Sequence, residues 1–321
     1  MRIVAAWVWL AGGSAQAGEF DAWVGGGAST GMALQSGEVS TVLSQVEFDA
    51  AGGNDLVSFQ LDLDYHFDAY YLTEPSFNDA YEIGPHYPLT PETAFVQLGQ
   101  DRYHVKLGVT APAVGLQMWD EKDDYLPSYS NGWAFMGGQV AGAEPGITLG
   151  DGSEVFVFGG YDMGWLTPTV GAGFASEQDS WSTWSGVFFL PDYPYFFGVA
   201  AFEFYPSDAL WVTIEPQAGV ADGGALYGAS LVGNILGDAT VGGAVRAEYQ
   251  HADSKAVAVL GVGVPELAFA GAVRADPNDW LHLALEGKES LPGGGADPFF
   301  TGTFFVSVWK GEPTEEEVVA Q

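Results

Sequence analysis

Cysteine is missing from all 321 residues, and Lys and Arg together number only 9. The first absence excludes disulfides, thiolate metal ligands and a lipid-modified cysteine, so stability has to come from pairing, packing and the surrounding solvent. The second leaves 42 Asp and Glu at a formal net charge of -33, which argues against nucleic acid and anionic lipid headgroups as electrostatic partners. Long hydrophobic runs are also lacking. The apolar stretch at 3–11 follows Arg2 and precedes Ala15-Gln16-Ala17. It is about half the ~20 residues a membrane-spanning helix needs, so residues 1–17 read as a secretory signal cut after Ala17. Nothing downstream is long and apolar enough to be a helical span.

What the chain has instead is alternation. In "VSFQLDLDYHFDA" (57–69), Val57, Phe59, Leu61, Leu63, Tyr65 and Phe67 interleave with Ser58, Gln60, Asp62, Asp64, His66 and Asp68. A helix would mix these sets around its circumference; a strand sends them to opposite faces. Comparable segments follow at 38–49, 93–99, 102–110, 133–142, 154–163, 166–174, 184–190, 195–205, 209–220, 224–234, 239–250, 254–264, 267–275, 279–288 and 298–309. Turn signals such as "YPSDAL", "VADGGA" and "ADPND" separate them. The spacing predicts about 16 strands (14–16) and no helix, with longer connections at 70–92, 111–132, 143–153, 175–183 and 289–297.

Strand length distinguishes two all-β architectures. The eleven residues from Val57 to Phe67 span roughly 36 Å at about 3.3 Å each, and a tilt near 45° projects this to roughly 26 Å. The apolar band of a membrane barrel is about 25 Å tall, whereas strands of a soluble sandwich average about five or six residues. The cations agree. Arg102, His104 and Lys106 oppose Tyr103, Val105, Leu107 and Val109; Arg246 and Glu248 oppose Val245, Ala247 and Tyr249; His282, Glu286 and Lys288 oppose Leu281, Leu283 and Leu285. Turning one Arg or Lys to lipid at mid-depth costs about 2–4 kcal/mol, so charge sets the register and the polar face must be wet. Aromatic residues gathered near segment ends, among them Tyr70, Tyr71, Trp133, Trp165, Trp181, Trp211 and Trp280, suit membrane interfaces. The expectation is a transmembrane antiparallel up-and-down β-barrel over 18–311, with an acidic tail at 312–321; a secreted β-sandwich binding protein is the soluble alternative.

The stretch "TAFVQLGQDRYHVKLGVTAPAVGLQMWDEKDDYLPSYS" resembles the central segment of the β-barrel porin-2 family of Gram-negative bacteria, with Gly108, Pro112, Gly115 and Tyr129-Ser130 at the corresponding places. "FYPSDALWVTIEPQAGVADG" resembles a later hairpin of that family, with Pro206-Ser207-Asp208 as the turn. Val109 stands where the family tends to carry a basic residue, and the likeness spans about a third of the chain. The resemblance implies an outer-membrane diffusion channel.

Catalytic motifs are absent: the chain has no HExxH, GxSxG, P-loop or GxGxxG in a strand-to-helix context. His66 beside Asp64 is the best candidate for a barrel-wall hydrolase, against the simpler reading of polar residues lining a wet lumen. "DEKDD" at 120–124 and Asp151 with Glu154 could hold Ca²⁺ through carboxylate oxygens, although acidic loops are more often merely solvated. The reading that results is a non-enzymatic, weakly cation-selective pore without cofactor or bound metal. Its partners are outer-membrane lipid and small hydrophilic solutes or cations, and a homo-oligomer stays open. Its lumen is lined by Asp62, Asp64, His66, Asp68, Arg102, His104, Lys106, Arg246, Glu248, Glu286 and Lys288. The 111–132 loop, with Asp120, Glu121, Asp123 and Asp124, is the expected constriction.

Overall fold

Sixteen antiparallel strands follow one another around a closed barrel, each hydrogen-bonded to its neighbours in sequence, with the last returning to the first. They are β1 (Asp21–Gln35), β2 (Glu38–Gly53), β3 (Val57–Phe67), β4 (Leu89–Leu98), β5 (Tyr103–Thr110), β6 (Val140–Thr148), β7 (Ser153–Asp162) and β8 (Thr167–Gln178). The circuit continues through β9 (Trp181–Leu190), β10 (Tyr195–Ser207), β11 (Leu210–Ala221), β12 (Gly224–Ile235), β13 (Val241–Ala252), β14 (Leu267–Asn278), β15 (Leu281–Leu291) and β16 (Phe299–Lys310). One short helix, α1 (Ser254–Leu260), lies between β13 and β14. The computed structural model describes residues 21–35, 38–54, 56–67, 89–99, 102–110, 139–149, 152–207, 209–235, 241–260, 266–278, 281–291 and 299–310. The expected signal at 1–17, the tail at 312–321 and the 111–132 loop lie outside them.

Closure follows from edge chemistry. An open sheet this long would expose two rows of unpaired N–H and C=O groups; pairing β1 with β16 from Gly26↔Lys310 to Gln35↔Thr301 removes both. The connections fall into two sets. At the end where β1 starts and β16 finishes they are short: 54–56, 99–102, 149–152, 179–180, 208–209, 236–240 and 279–280. The opposite end carries the longer ones, 68–88, 111–139, 253–266 and 292–298, among short connections at 36–37, 163–166, 191–194 and 222–223. That is the asymmetry of a membrane barrel.

Four local expectations are corrected. β1 escapes pattern reading because "VGGGASTG" has too few large side chains to alternate. Within the expected strand at 254–264, the described residues 254–260 are helical instead: Asp253 accepts from the Lys255 and Ala256 amides through Oδ1 and from the Ala225 amide through Oδ2, which caps α1 and ties it to β12. The apolar run "AVAVL" fits either period, and the cap decides it. The missed strand and the false one cancel, so the expected total agrees with the observed number. β6 spans Val140–Thr148 rather than 133–142, because its carboxylate Glu144 pairs opposite Lys106. Finally, 143–153 and 175–183 are not long connections; β6–β7 and β8–β9 join through 149–152 and 179–180.

The two faces differ as the alternation demands. Leu285, Val245, Val273 and Phe269 are about half or more exposed on the outside, at 61%, 59%, 58% and 50%. Their neighbours Glu286, Arg246, Ala272 and Ala270 are buried on the inside. A band of exposed apolar side chains on most of the described strands is what hydrocarbon, not water, would stabilise. The inner face is not uniformly polar, however. Toward the long-loop end Phe156, Phe158, Phe188, Leu190, Tyr195, Phe197 and Leu226 form a buried cluster that Trp165 and Val257 of α1 join. Here "YPYFFGVAAF" is apolar on both faces, which explains why its alternation carries no information about the interior. The Phe158 and Phe156 rings lie directly over Gly171 and Gly173 of β8, where a Cβ would come within 2.1 and 2.2 Å of them.

Candidate functional site

The inner wall is the only surface where charged groups from many strands converge among the described residues, and it is built from ladder register. On β5, His104 and Lys106 face inward between exposed Tyr103 and Leu107. Lys106 sits opposite Glu144 of β6, and its Nζ donates to Glu144 Oε1 at 2.7 Å. His104 reaches Glu154 of β7, Nε2 to Oε1 at 2.9 Å, across Gly146. A Cβ on Gly146 would lie 2.3 Å from that nitrogen, so the absence of a side chain creates the slot for the imidazole. Glu154 is therefore engaged with a histidine of the wall; Asp151, its expected companion for Ca²⁺, lies outside the described residues.

Eight strands further round the circuit is a second charged patch. Arg246 and Glu248 of β13 are linked Nε to Oε1 at 2.8 Å. Arg246 stands across Ala270 of β14 from Lys288 of β15, because register aligns all three. Ala268, Ala270 and Ala272 make β14 a low stripe over which long side chains of β13 and β15 approach, placing Lys288 in the field of Glu248, Arg246 and Glu286. At the short-turn end of the same hairpin, the register slips between Ala275 and Asn278. The register that sets Arg274 opposite Ala284 leads on to Asp276 beside His282, whose Nδ1 lies 2.8 Å from Asp276 Oδ1, while Arg274 Nε donates to both oxygens of Asp276 at 2.9 and 3.0 Å. Sequence reasoning missed this trio because it ended the strand at 275 and read "ADPND" as a turn, which left Asp276 off the ladder.

The expected set is thus divided. Asp62, His104, Lys106, Arg246, Glu248, Glu286 and Lys288 sit on the inner face. Arg102 does not: it is exposed in the turn before β5, its guanidinium 5.5 Å from the Tyr103 ring centroid. Backbone register sets Asp64 opposite Glu47 and His66 opposite Gln45, while their side chains, together with Asp68, Asp120, Glu121, Asp123 and Asp124, lie outside the described set. Two further carboxylates join the inner wall at β2. Oxygens of Glu47, Asp49 and Asp62 lie within 4.8 Å of one another, all buried, the type of donor set a hard divalent cation takes. The alternation of "QVEFDAA" places Glu47 and Asp49 on one face, a signal readable in the sequence, and the β2–β3 register sets Asp62 opposite Asp49.

No protein-family model matches the chain, and a search of curated proteins finds no match. Solved structures do match. The outer-membrane channel DcaP of Acinetobacter baumannii superposes with a TM-score of 0.60 at 12% identity, covering 94% of this chain and 100% of that one. OmpF of Salmonella typhi superposes at 0.67 and 10% identity, covering 91% and 97%. OmpT, an outer membrane protein of Vibrio cholerae, does so at 0.59 and 11% identity, covering 92% and 100%. At these identities the likeness is one of fold: this chain is a porin-like, all-β, up-and-down barrel.

Proposed function

We propose that the chain is an outer-membrane pore through which small hydrophilic solutes diffuse passively, with a weak preference for cations. The observation that carries this is the division of one closed barrel into an apolar outer face and an inner face holding ion pairs from β5–β7 and β13–β15. The resemblance to the β-barrel porin-2 family and the porin-like fold support the same reading. The secretory signal at 1–17 would deliver the chain across the inner membrane.

Cation preference rests on charge placement. Three strand-borne cations are each neutralised by a carboxylate: Lys106 by Glu144, Arg246 by Glu248 and Arg274 by Asp276. Each of the seven short connections carries one Asp in the sequence, at 55, 101, 151, 179, 208, 238 and 279, against the single cation Arg102. An acidic mouth raises the local concentration of cations and repels anions, an effect that fades with added salt. The 111–132 loop, with Asp120, Glu121, Asp123 and Asp124, is proposed as the constriction, and assembly into a homo-oligomer is left to measurement. Reversal potentials of the purified protein in planar bilayers under a KCl gradient test the reading. Discrete conductance steps with cation preference at low salt are expected; absence of channels, or anion preference, would overturn it.

A further inference from the structure

On the inner face of β9–β11, near the short-turn end, Glu203 is surrounded by hydroxyls instead of cations. Phe202 and Phe204 are exposed on the outside, which puts Glu203 and Tyr205 on the inside. Register sets Ser182 of β9 and Thr213 of β11 opposite Glu203 on its two flanks. The Tyr205 hydroxyl donates to Glu203 Oε2 at 2.7 Å and Thr213 Oγ1 donates to Oε1 at 3.3 Å. Ser182 Oγ lies 3.4 Å from Oε2 and 2.8 Å from the Tyr205 oxygen. The Tyr205 amide donates to the Ser180 carbonyl at 3.0 Å, which ties the site to the β8–β9 turn. Among the described residues no Lys or Arg is paired with Glu203. The carboxylate is thus held in place by neutral donors that orient its charge without cancelling it.

The rings complete the arrangement. Tyr205 and Trp211 meet edge to face, centroids 6.2 Å apart and planes at 86°, so they form two perpendicular walls beside the carboxylate. Trp211 shares the inner face with Thr213, since exposed Ile214 marks the outer one. Aromatic side chains at barrel ends ordinarily face outward to the membrane interface, and these do not. Glu203, Tyr205 and Trp211 are all partly exposed, unlike the packed aromatics nearer the loops. Exposed Glu177 and Asp179 add negative charge at the same mouth.

We infer that Glu203, Tyr205 and Trp211 form a recognition subsite for small organic cations, ammonium compounds whose charge faces the carboxylate and whose methyl or methylene groups lie on the two rings. Perpendicular aromatic walls with a carboxylate suit an alkylated ammonium because the ring faces carry negative potential and the alkyl groups need no water. A hydrated K⁺ gains little from the rings, so the subsite selects by chemistry where the acidic mouth selects only by sign. As a station in permeation, the inference rests on the pore reading; as a binding site, it can be tested apart from it.

Choline is the probe, with its neutral isostere 3,3-dimethylbutan-1-ol as the comparison, titrated by calorimetry into the full-length protein in detergent micelles at constant ionic strength. Saturable choline binding is expected, weakened about tenfold or more by Glu203→Gln and by Trp211→Leu. Glu203→Gln keeps one acceptor oxygen and puts an amide donor in place of the other, which a hydroxyl can meet by accepting, and circular dichroism together with retarded migration of unheated samples on gels checks that each variant folds. The isostere should bind about tenfold more weakly than choline. Unchanged choline binding by folded Glu203→Gln, equal binding of the isostere, or no binding of choline would each overturn the subsite. Bilayer recordings separate the two claims. Channels that choline neither blocks nor crosses in preference to K⁺ would sink the subsite as a station in permeation and leave the pore. Choline binding in micelles with no channels in bilayers would leave the subsite and sink the pore.

Discussion

Replacing Gly146 by Ala should unseat His104. The new Cβ would lie 2.3 Å from His104 Nε2, 2.7 Å from its Cε1 and 2.8 Å from Glu154 Oε1. Ordinary carbon contacts begin near about 3.5 Å, so the ring must move by roughly an ångström, and the 2.9 Å contact to Glu154 is lost with it. A hydrogen bond to a charged group contributes about 1.5–3 kcal/mol, and Ala in place of Gly returns about 0.4–1 kcal/mol by restricting the unfolded chain. The net loss expected for Gly146→Ala is therefore about 0.5–2.5 kcal/mol. In a His104→Ala background the slot is empty, Glu154 is free to swing aside, and the same substitution should be neutral or stabilising. Equilibrium unfolding in urea, followed by tryptophan emission from protein refolded into vesicles, measures all four corners of this cycle. An equal cost in both backgrounds would show that Gly146 is required by its backbone and not by the imidazole.

Four other outcomes follow from the same structure. Leu285→Arg, on the outer face at 61% exposure, should cost about 2–4 kcal/mol in the vesicle assay if it sits at mid-depth, and fall short of that only if lipid does not cover β15. Single cysteines along β13 at 246 and 248, on the inner face, should react with water-borne maleimide in the folded protein. Those at 245 and 249 should be shielded by lipid and exposed in denaturant, and uniform labelling of folded protein would contradict the register. Glu144→Gln leaves Lys106 without its 2.7 Å partner and should shift reversal potentials toward anions, most at low salt; no shift would place Lys106 off the conduction path. Asp253 has its carboxyl held below the usual range by the backbone amides, first of Ala256 and then of Ala225. Its folded value is the lower one, so its stabilisation of α1 is present above the ordinary carboxylate range and is lost only as pH falls through that depressed value. Amide proton shifts of Ala225 and Ala256 should stay constant through the ordinary carboxylate range and move only at lower pH.

The position of β13, β15 and the β3 and β5 ladders can be read from the chain because each has charge at every second place and hydrocarbon between, and only one register keeps Arg246, Lys288, Lys106 and Asp62 off the lipid. Fold class follows from the same rule repeated. What defeats that rule is any segment whose two faces are alike. β1 is too rich in glycine to show a period, and the start of β10 is apolar both inward and outward, so neither the closing strand nor the internal aromatic cluster has a sequence signature. Asp253, in contrast, carries a local signal, a capping residue before a short apolar run, that competes with alternation and wins once its amide partners are in place. The groups proposed to act on solutes depend on tertiary placement. Lys106 finds Glu144, and Glu203 finds Ser182 and Thr213, because hydrogen-bond register, a property of pairs of strands, sets residues distant in sequence side by side. Alternation along one strand determines which face a side chain takes; only the closed ladder determines what stands next to it.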